Sequence, residues 1–338
     1  MAALALAACS EEPTGPALAA DAALPTAVPD GTKIVIGDPA QQLSFELSGL
    51  AKLLEFEVEW ANISGGPKSA EAFRAKSLDL SSVADIPPIH TNWTGLPTRI
   101  VAASGRKDPL GHPIYDLGVT PGADITSLED LRGHRIAYSP GQAQGALILR
   151  VLNAAGLSQD DVELVELPST ADVYTNALAG GEVDVAPIGG TQVKVYINKY
   201  GVDGATTIPH GLRDDPGVLY APVEVLEDAD KAAAIAQYVR LWGAARLWAK
   251  ANPEEWINAW YVDHEGLSYE DGEYLVEREG ELDFPENWDE TIERHQETIE
   301  VVADGTGYPV LDAEDLYDRR FESLVTEGIA EYGEGGAA

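Results

Sequence analysis

The stretch "YSPGQAQGALILRVLNAAGL", residues 138–157, reads as a strand end, a loop with two glycines, and a helix over Ala143 to Ala155. Backbone N–H groups at such a helix start are suited to holding an anion. The loop lacks the Gly-Lys-Ser/Thr of a phosphate loop, and no Gly-x-Gly-x-x-Gly follows a strand, so nucleotide chemistry is not indicated.

Outward from this stretch the strand–loop–helix unit repeats. Upstream, "KIVIG" (33–37), "FEVEW" (56–60), "LDLSSVA" (78–84) and "TRIVAAS" (98–104) read as strands, with helices expected over Gln41 to Leu54, Pro67 to Lys76 and Ile86 to Thr94. Around the opening stretch lie a short helix at Ser127 to Leu131, strands "HRIAYS", "VELVEL" and "VDVAPI", and helices over Ala171 to Ala179 and Thr191 to Lys199. Strands alternating with single helices predict two α/β units. The runs 73–88 and 178–193 echo one another: each has a helix end, a turn, a strand led by a lone aspartate (Asp79, Asp184), and a small-residue loop opening a helix. Ligands bind open α/β sheets where strand C-termini and helix N-termini meet, so a cleft between the two units is the expected site. Beyond Gly211 the pattern changes to an extended run, 216–228, and then helices over Ala229 to Lys250, from Asn252-Pro253, over Ser268 to Glu277, Asn287 to Ala303, and Ala313 to Glu331. Trp242, Trp248, Trp256 and Trp260 fall in these helices and are expected to be core.

The 338 residues suit two domains of about 100 to 200 residues each. A net charge of −35 argues against nucleic acid or anionic lipid as a partner. The single cysteine, Cys9, excludes disulfides, thiolate zinc sites and a core thiol nucleophile. Six histidines show no metal-ligand spacing, and Gly-x-Ser-x-Gly is absent, so no metal, cofactor or hydrolase chemistry is expected. His90, beside the loop at Val83 to Asp85, is the one residue that would support an enzyme in the cleft.

The run from "SLEDLRGHRIAYSPGQAQGALILRVLNAAGL" to "NALAGGEVDVAPI", preceded by "IVIG" and "LDLSSVADIPPI", resembles the substrate-binding lipoproteins of ABC importers for sulfonates, taurine and nitrate. The resemblance implies an α/β, two-lobed periplasmic-binding-protein type II fold with two extended crossovers, near 112–119 and 216–222, and a helical C-terminal segment. Lobe one would be residues 33–115 and 220–332, and lobe two 116–219. "MAALALAAC" resembles a lipobox ending at Cys9, which would carry a lipid anchor, with 10–32 as a flexible tether. An extracytoplasmic monomer is implied, delivering a small polar or anionic organic solute to ABC permease subunits and touching the membrane through the anchor only. An enzyme on the same scaffold using a cleft histidine is the alternative.

By motif, the family's ligand loops map onto Asp38, Gln41 and Gln42; Val83, Ala84 and Asp85; Ser139, Gly141, Gln142 and Gln144; and Gly189, Gly190 and Thr191. Backbone N–H groups and the Ser139, Gln142, Gln144 and Thr191 side chains suit sulfonate or carboxylate oxygens. Asp38 and Asp85 each precede a proline-containing helix start, so each reads either as a cap or as a ligand contact. In the cleft, either would repel a simple anion and suit a solute that also carries an amine.

Overall fold

The computed structural model describes residues 15–169 and 172–333. Cys9 and Ala171 lie outside the described residues. In chain order the first unit runs β1 (Lys33–Gly37), α1 (Pro39–Ser48), β2 (Glu57–Ala61), α2 (Gly66–Arg74), β3 (Leu80–Ala84), α3 (Ile86–Trp93) and β4 (Thr98–Arg106). The second runs β5 (Tyr115–Val119), β6 (Arg135–Tyr138), α4 (Ala143–Ala154), β7 (Glu163–Glu166), α5 (Val173–Ala179), β8 (Val185–Gly189), α6 (Gly190–Tyr200) and β9 (Thr206–Ile208). The chain then returns through β10 (Gly217–Pro222), α7 (Val223–Leu226), α8 (Ala229–Ala251), α9 (Pro253–Trp256), α10 (Tyr269–Glu279), β11 (Leu282–Asp283), α11 (Asp289–Thr306) and α12 (Leu324–Tyr332).

Two mixed sheets result, ordered β11-β4-β10-β3-β1-β2 and β7-β6-β8-β5-β9. This is the two-lobed α/β architecture expected. The largest apolar cluster joins Ile34, Ile36, Leu80 and Val101 of the first sheet to Phe45, Tyr238 and Trp242 on the helices around it. Phe45 stacks on Tyr238 at 4.9 Å. Trp242 is thus core, as its spacing predicted, whereas Trp260 is half-buried and stacks on His264 at 4.5 Å along a π-helix, Ile257–His264, that the sequence pattern did not announce.

The echoed aspartates explain themselves as one device used twice. Asp79 Oδ2 accepts the Val35 N–H at 2.9 Å, and its other oxygen pairs with Lys231 at 2.7 Å. Asp184 accepts the Arg135 N–H at 2.9 Å and pairs with the same residue's guanidinium at 2.6 Å. Each carboxylate thus satisfies an N–H near the start of the neighbouring parallel strand, a group that would otherwise be left half-buried and unpaired.

Three segments depart from expectation. The first helix stops at Gly49, whose left-handed φ of 77° ends it before a 3-10 turn at Leu50–Leu53. The helix expected over 313–331 is broken, because Tyr317 pairs with Ile100 of β4 and Asp318 N–H bonds the Ile100 carbonyl. Residues from Gly15 onward, expected to be tether, lie against lobe one. Gly15 N–H bonds Asp228, Leu18 N–H bonds the Glu227 carbonyl, and Leu24 and Val28 pack on the core.

The two crossovers are stitched side by side. Asp214 accepts the N–H groups of Ile114 and Tyr115 at 2.9 and 2.7 Å, and buried His210 sits 3.2 Å from the same carboxylate. Asp215 accepts the Arg106 N–H and pairs with Arg213 at 2.6 Å.

Candidate functional site

Strand register places Gly37 beside Ser81, Ala84 beside Gly217, and Gly217 beside Ser104. The loops after β1 and β3 and the end of β4 therefore share one edge of the first sheet. On the second sheet, β6 and β8 run parallel and end at Tyr138 and Gly189. The two edges face one another. A methyl on Gly141 would lie 2.7 Å from the His90 ring, and one on Gly190 would meet Leu275 at 3.4 Å. Leu149 of α4 packs on α11 where Gly305 leaves room for it. Asp116 pairs with Arg278 at 3.0 Å, and Lys194 lies 4.3 Å over the Tyr274 ring, so further contacts join the lobes.

Gly141 adopts a φ of +76° and brings the loop back over α3. Gly145 is needed for a different reason: a methyl there would sit 2.1 Å from the Ser139 carbonyl oxygen, so only glycine lets this loop fold onto its own helix. Ser139 is buried, while Gln142 and Gln144 are half-exposed and Gln142 gives no side-chain cap. Gly189 pairs with Tyr115, Gly190 begins α6 one residue earlier than expected, and Thr191 follows it half-exposed.

Asp38 and Asp85, alike in sequence, have different jobs. Asp38 caps α1 by accepting the Gln41 N–H at 3.1 Å, with Pro39 in the first helical position. Gln41 and Gln42 are occupied locally: Gln41 Oε1 accepts from Ser44 and Gln42 Nε2 donates to Glu46. Asp85 makes no cap bond. A cap bonds the N–H groups of the second or third helical residue. After Asp85 these are Pro87 and Pro88, which have none. The capping alternative for Asp85 is therefore ruled out by chemistry already written in the sequence, and its carboxylate is free for other partners.

That carboxylate lines a cavity of about 240 Å³ between the lobes and the crossovers. Lobe one contributes Ser104, Arg294, His295 and Tyr317, the second crossover Arg213, and α4 of lobe two Arg150. Among the loop residues chosen by motif, Asp85 is the one in this wall, with Val83 and Ala84 on the strand leading to it. His295 is buried, bonds the Asp85 carbonyl through Nε2 at 3.0 Å, and meets the Tyr317 hydroxyl through Nδ1 at 3.0 Å. Burial lowers its pKa and raises that of Asp85.

On the other side of the same edge, Arg246 of α8 donates to Ser104 Oγ at 2.5 Å and faces Glu279 at 4.0 Å. Its guanidinium lies 5.1 Å from the Trp242 ring. Burial lowers its pKa, while Glu279 and Asp38 favour the charged form. Sequence reasoning missed Arg150, Arg246, Arg294 and His295 because they sit inside helices, where helical spacing alone does not say which face meets the cavity; Arg150 lies in the helix that follows the 139–144 loop, the others far from any loop motif. No local signal set Arg246 apart, since its helix also carries Asp230, Lys231, Arg240 and Lys250.

Burial pushes the Asp38 pKa from 3.8 up to about 6, against the Gln41 N–H, Arg246 and Ser82, which favour the ionised form. The folded protein thus holds this proton more tightly than the unfolded chain. The resulting stability is complete below about pH 4 and is lost as pH rises through about 6. Going from pH 7 to pH 5, the wild type should gain about 1 kcal/mol relative to Asp38→Asn, which keeps the cap acceptor. Urea unfolding at the two pH values reads this difference directly. A difference independent of pH would contradict the assignment.

The family described as "NMT1/THI5 like" matches residues 94–255. The putative aliphatic sulfonates-binding protein of Escherichia coli (strain K12) is 33% identical over 130 residues, which cover 38% of this chain and 39% of that protein. The matched region is thus well under half of that relative's length. Among solved structures, the periplasmic aliphatic sulphonate binding protein SsuA of Escherichia coli superposes with a TM-score of 0.69 at 20% identity, over 86% of this chain and 92% of its own. The fold is that of the periplasmic binding proteins. The alkanesulfonate-binding protein SsuA of Xanthomonas axonopodis pv. citri, solved bound to MOPS, gives the same TM-score and identity over 88% of this chain and 99% of its own. The resemblance to the sulfonate-binding family, read first from the motifs, stands.

Proposed function

We propose that the protein is an extracytoplasmic solute receptor of an ABC importer. It captures a small polar or anionic organic solute, of the sulfonate kind, between its lobes and presents it to the permease. The observation that carries this reading is the interlobe cavity. In a chain of net charge −35, three of the 22 basic residues, Arg150, Arg213 and Arg294, line one small space contributed by both lobes and a crossover. Closure around a solute would replace its water with fixed donors and favour the closed state through solute contacts alone. The relatives named as sulfonate-binding point the same way.

The lobe boundaries at 33–115 with 220–332 and at 116–219, a lipid anchor on Cys9, and a monomeric state belong to the same proposal. So do the loop residues at 139–144 and 189–191, as donors to the bound solute. The test is a thermal-shift panel of alkanesulfonates, aminosulfonates, nitrate and carboxylates, with product analysis of each mixture. Stabilisation following RT ln(1 + [L]/Kd) without turnover supports the receptor. Turnover abolished by His90→Ala would replace it with an enzyme.

A further inference from the structure

We propose that Arg278 and Asp116 form a latch between the lobes, apart from the solute cavity, and that this latch sets how much of the protein is closed before any solute arrives. Neither residue lines the cavity.

The first ground is where the two charges sit. Asp116 lies in β5 of lobe two, paired with Ile188 of β8, and Arg278 lies in the last turn of α10 in lobe one. Their 3.0 Å ion pair is the one salt bridge that joins the lobes among the described residues, and the side chains of Arg278 and Asp116 are only 15% and 14% exposed. Within lobe one the guanidinium is met by the Tyr274 hydroxyl, which accepts from Nη1 at 3.2 Å, while Nε is buried without a partner among the described residues. Its counter-charge comes from across the seam.

The second ground is the helix face that carries the arginine. Tyr274, Leu275 and Arg278 stand at i, i+1 and i+4 of α10 and are turned together toward lobe two. The Tyr274 ring lies 4.3 Å from Lys194 Nζ of α6. Leu275 is buried where α6 begins, and a methyl on Gly190 would already meet it at 3.4 Å. A cation–π contact and an apolar contact thus flank the ion pair and keep water from it.

The third ground is that α10 is fastened to lobe one. Gly272 lets it lie against the π-helix, where a methyl would come within 2.5 Å of Ile257. Lys250 of α8 donates to the Val276 carbonyl at 2.8 Å and pairs with Glu279 at 3.3 Å. Gly280, at φ +66°, ends the helix with its Cα against the His112 ring of the first crossover. The helix therefore travels with lobe one, and parting of the lobes about the crossovers breaks the contacts of Tyr274, Leu275 and Arg278 and returns both charges to water. In the closed form each charge is nearly dry and depends on the other, so removing one strands its partner in that form alone. The closed fraction scales the apparent affinity for any solute, which lets the latch act on binding without touching what is bound.

The experiment is small-angle X-ray scattering of the full chain without solute, with circular dichroism to check the fold. The wild type should give the smaller radius of gyration. In Asp116→Asn the ratio of closed to open molecules should fall at least about tenfold, with most of them open and the radius larger. Arg278→Met should give the same shift by stranding Asp116 instead, so the latch is tested from both ends. Combining Asp116→Asn with Arg278→Met leaves no stranded charge and should recover much of the compact form, whereas damage to packing would add. Lys107→Met, which removes an exposed ion pair with Glu281 within lobe one, should leave the radius unchanged. A wild-type radius in both single variants overturns the latch, and so does a double variant as open as the singles. Because no solute enters the measurement, its failure leaves the receptor reading standing.

Discussion

Gly328→Ala should destabilise the protein by about 3 kcal/mol, the effect expected when a methyl is forced against immovable backbone. In the native packing of α12 on α8, that methyl would lie 1.6 Å from the Arg240 carbonyl oxygen and 2.4 Å from its carbon. Neither atom can rotate away. Gly243 on the facing helix leaves room for the Val325 and Ile329 side chains, so a glycine on each helix permits the close approach. Ion pairs from Arg240 to Glu327 and Glu331 lie on the surface of this contact and are too exposed to hold it against such a clash. Urea unfolding should show a lower midpoint with an unchanged slope. An unchanged midpoint would mean that α12 is not seated as described.

Arg246→Ala should cost about 2 kcal/mol, because it leaves buried Asp38 without its nearby cation in a partly dry site, whereas Glu279 keeps Lys250 at 3.3 Å. The guanidinium side chain is 22% exposed, little enough that solvent does not take over its role. Ser104 would also lose a donor, and the Trp242 ring the charge above it. Arg246→Lys should recover part of the loss, since a point charge replaces the field but not the planar stacking. The cost should shrink when Asp38→Asn is added, because a neutral partner no longer needs compensation. A double-mutant cycle by denaturant unfolding measures that coupling. Strict additivity would show that the two groups do not sense each other.

Both predictions depend on residues that no loop motif marks, which bears on how much the sequence disclosed. The strand–loop–helix rhythm around 138–157 was enough for two α/β lobes, because short apolar runs and helix starts are local signals. The repeated lone aspartate was visible too, but its task was not. Only the register of β1 with β3, and of β6 with β8, shows Asp79 and Asp184 bonding a neighbouring strand.

The candidate site was legible in part. Asp38 and Asp85 stood out as acids at helix starts, and the two prolines after Asp85 already barred it from capping. By contrast, Arg150, Arg294 and His295 reach the cavity from helices separated by much of the chain, and tertiary packing alone brings them together. The break at Tyr317 has the same origin. Helical spacing runs through it, and the side chain's place in the cavity wall, with its strand contact to Ile100, overrides the local preference.

The interlobe cavity as the solute site is tested most directly by calorimetric titration of the wild type and of Arg150→Gln with 2-aminoethanesulfonate. Arg150 makes no bond to other described residues, so its loss should leave the fold intact and remove only what it gives to a solute. The wild type should bind, and the variant should bind at least about tenfold more weakly with an unchanged unfolding temperature. Equal affinity in the two proteins would contradict the account and place the solute elsewhere.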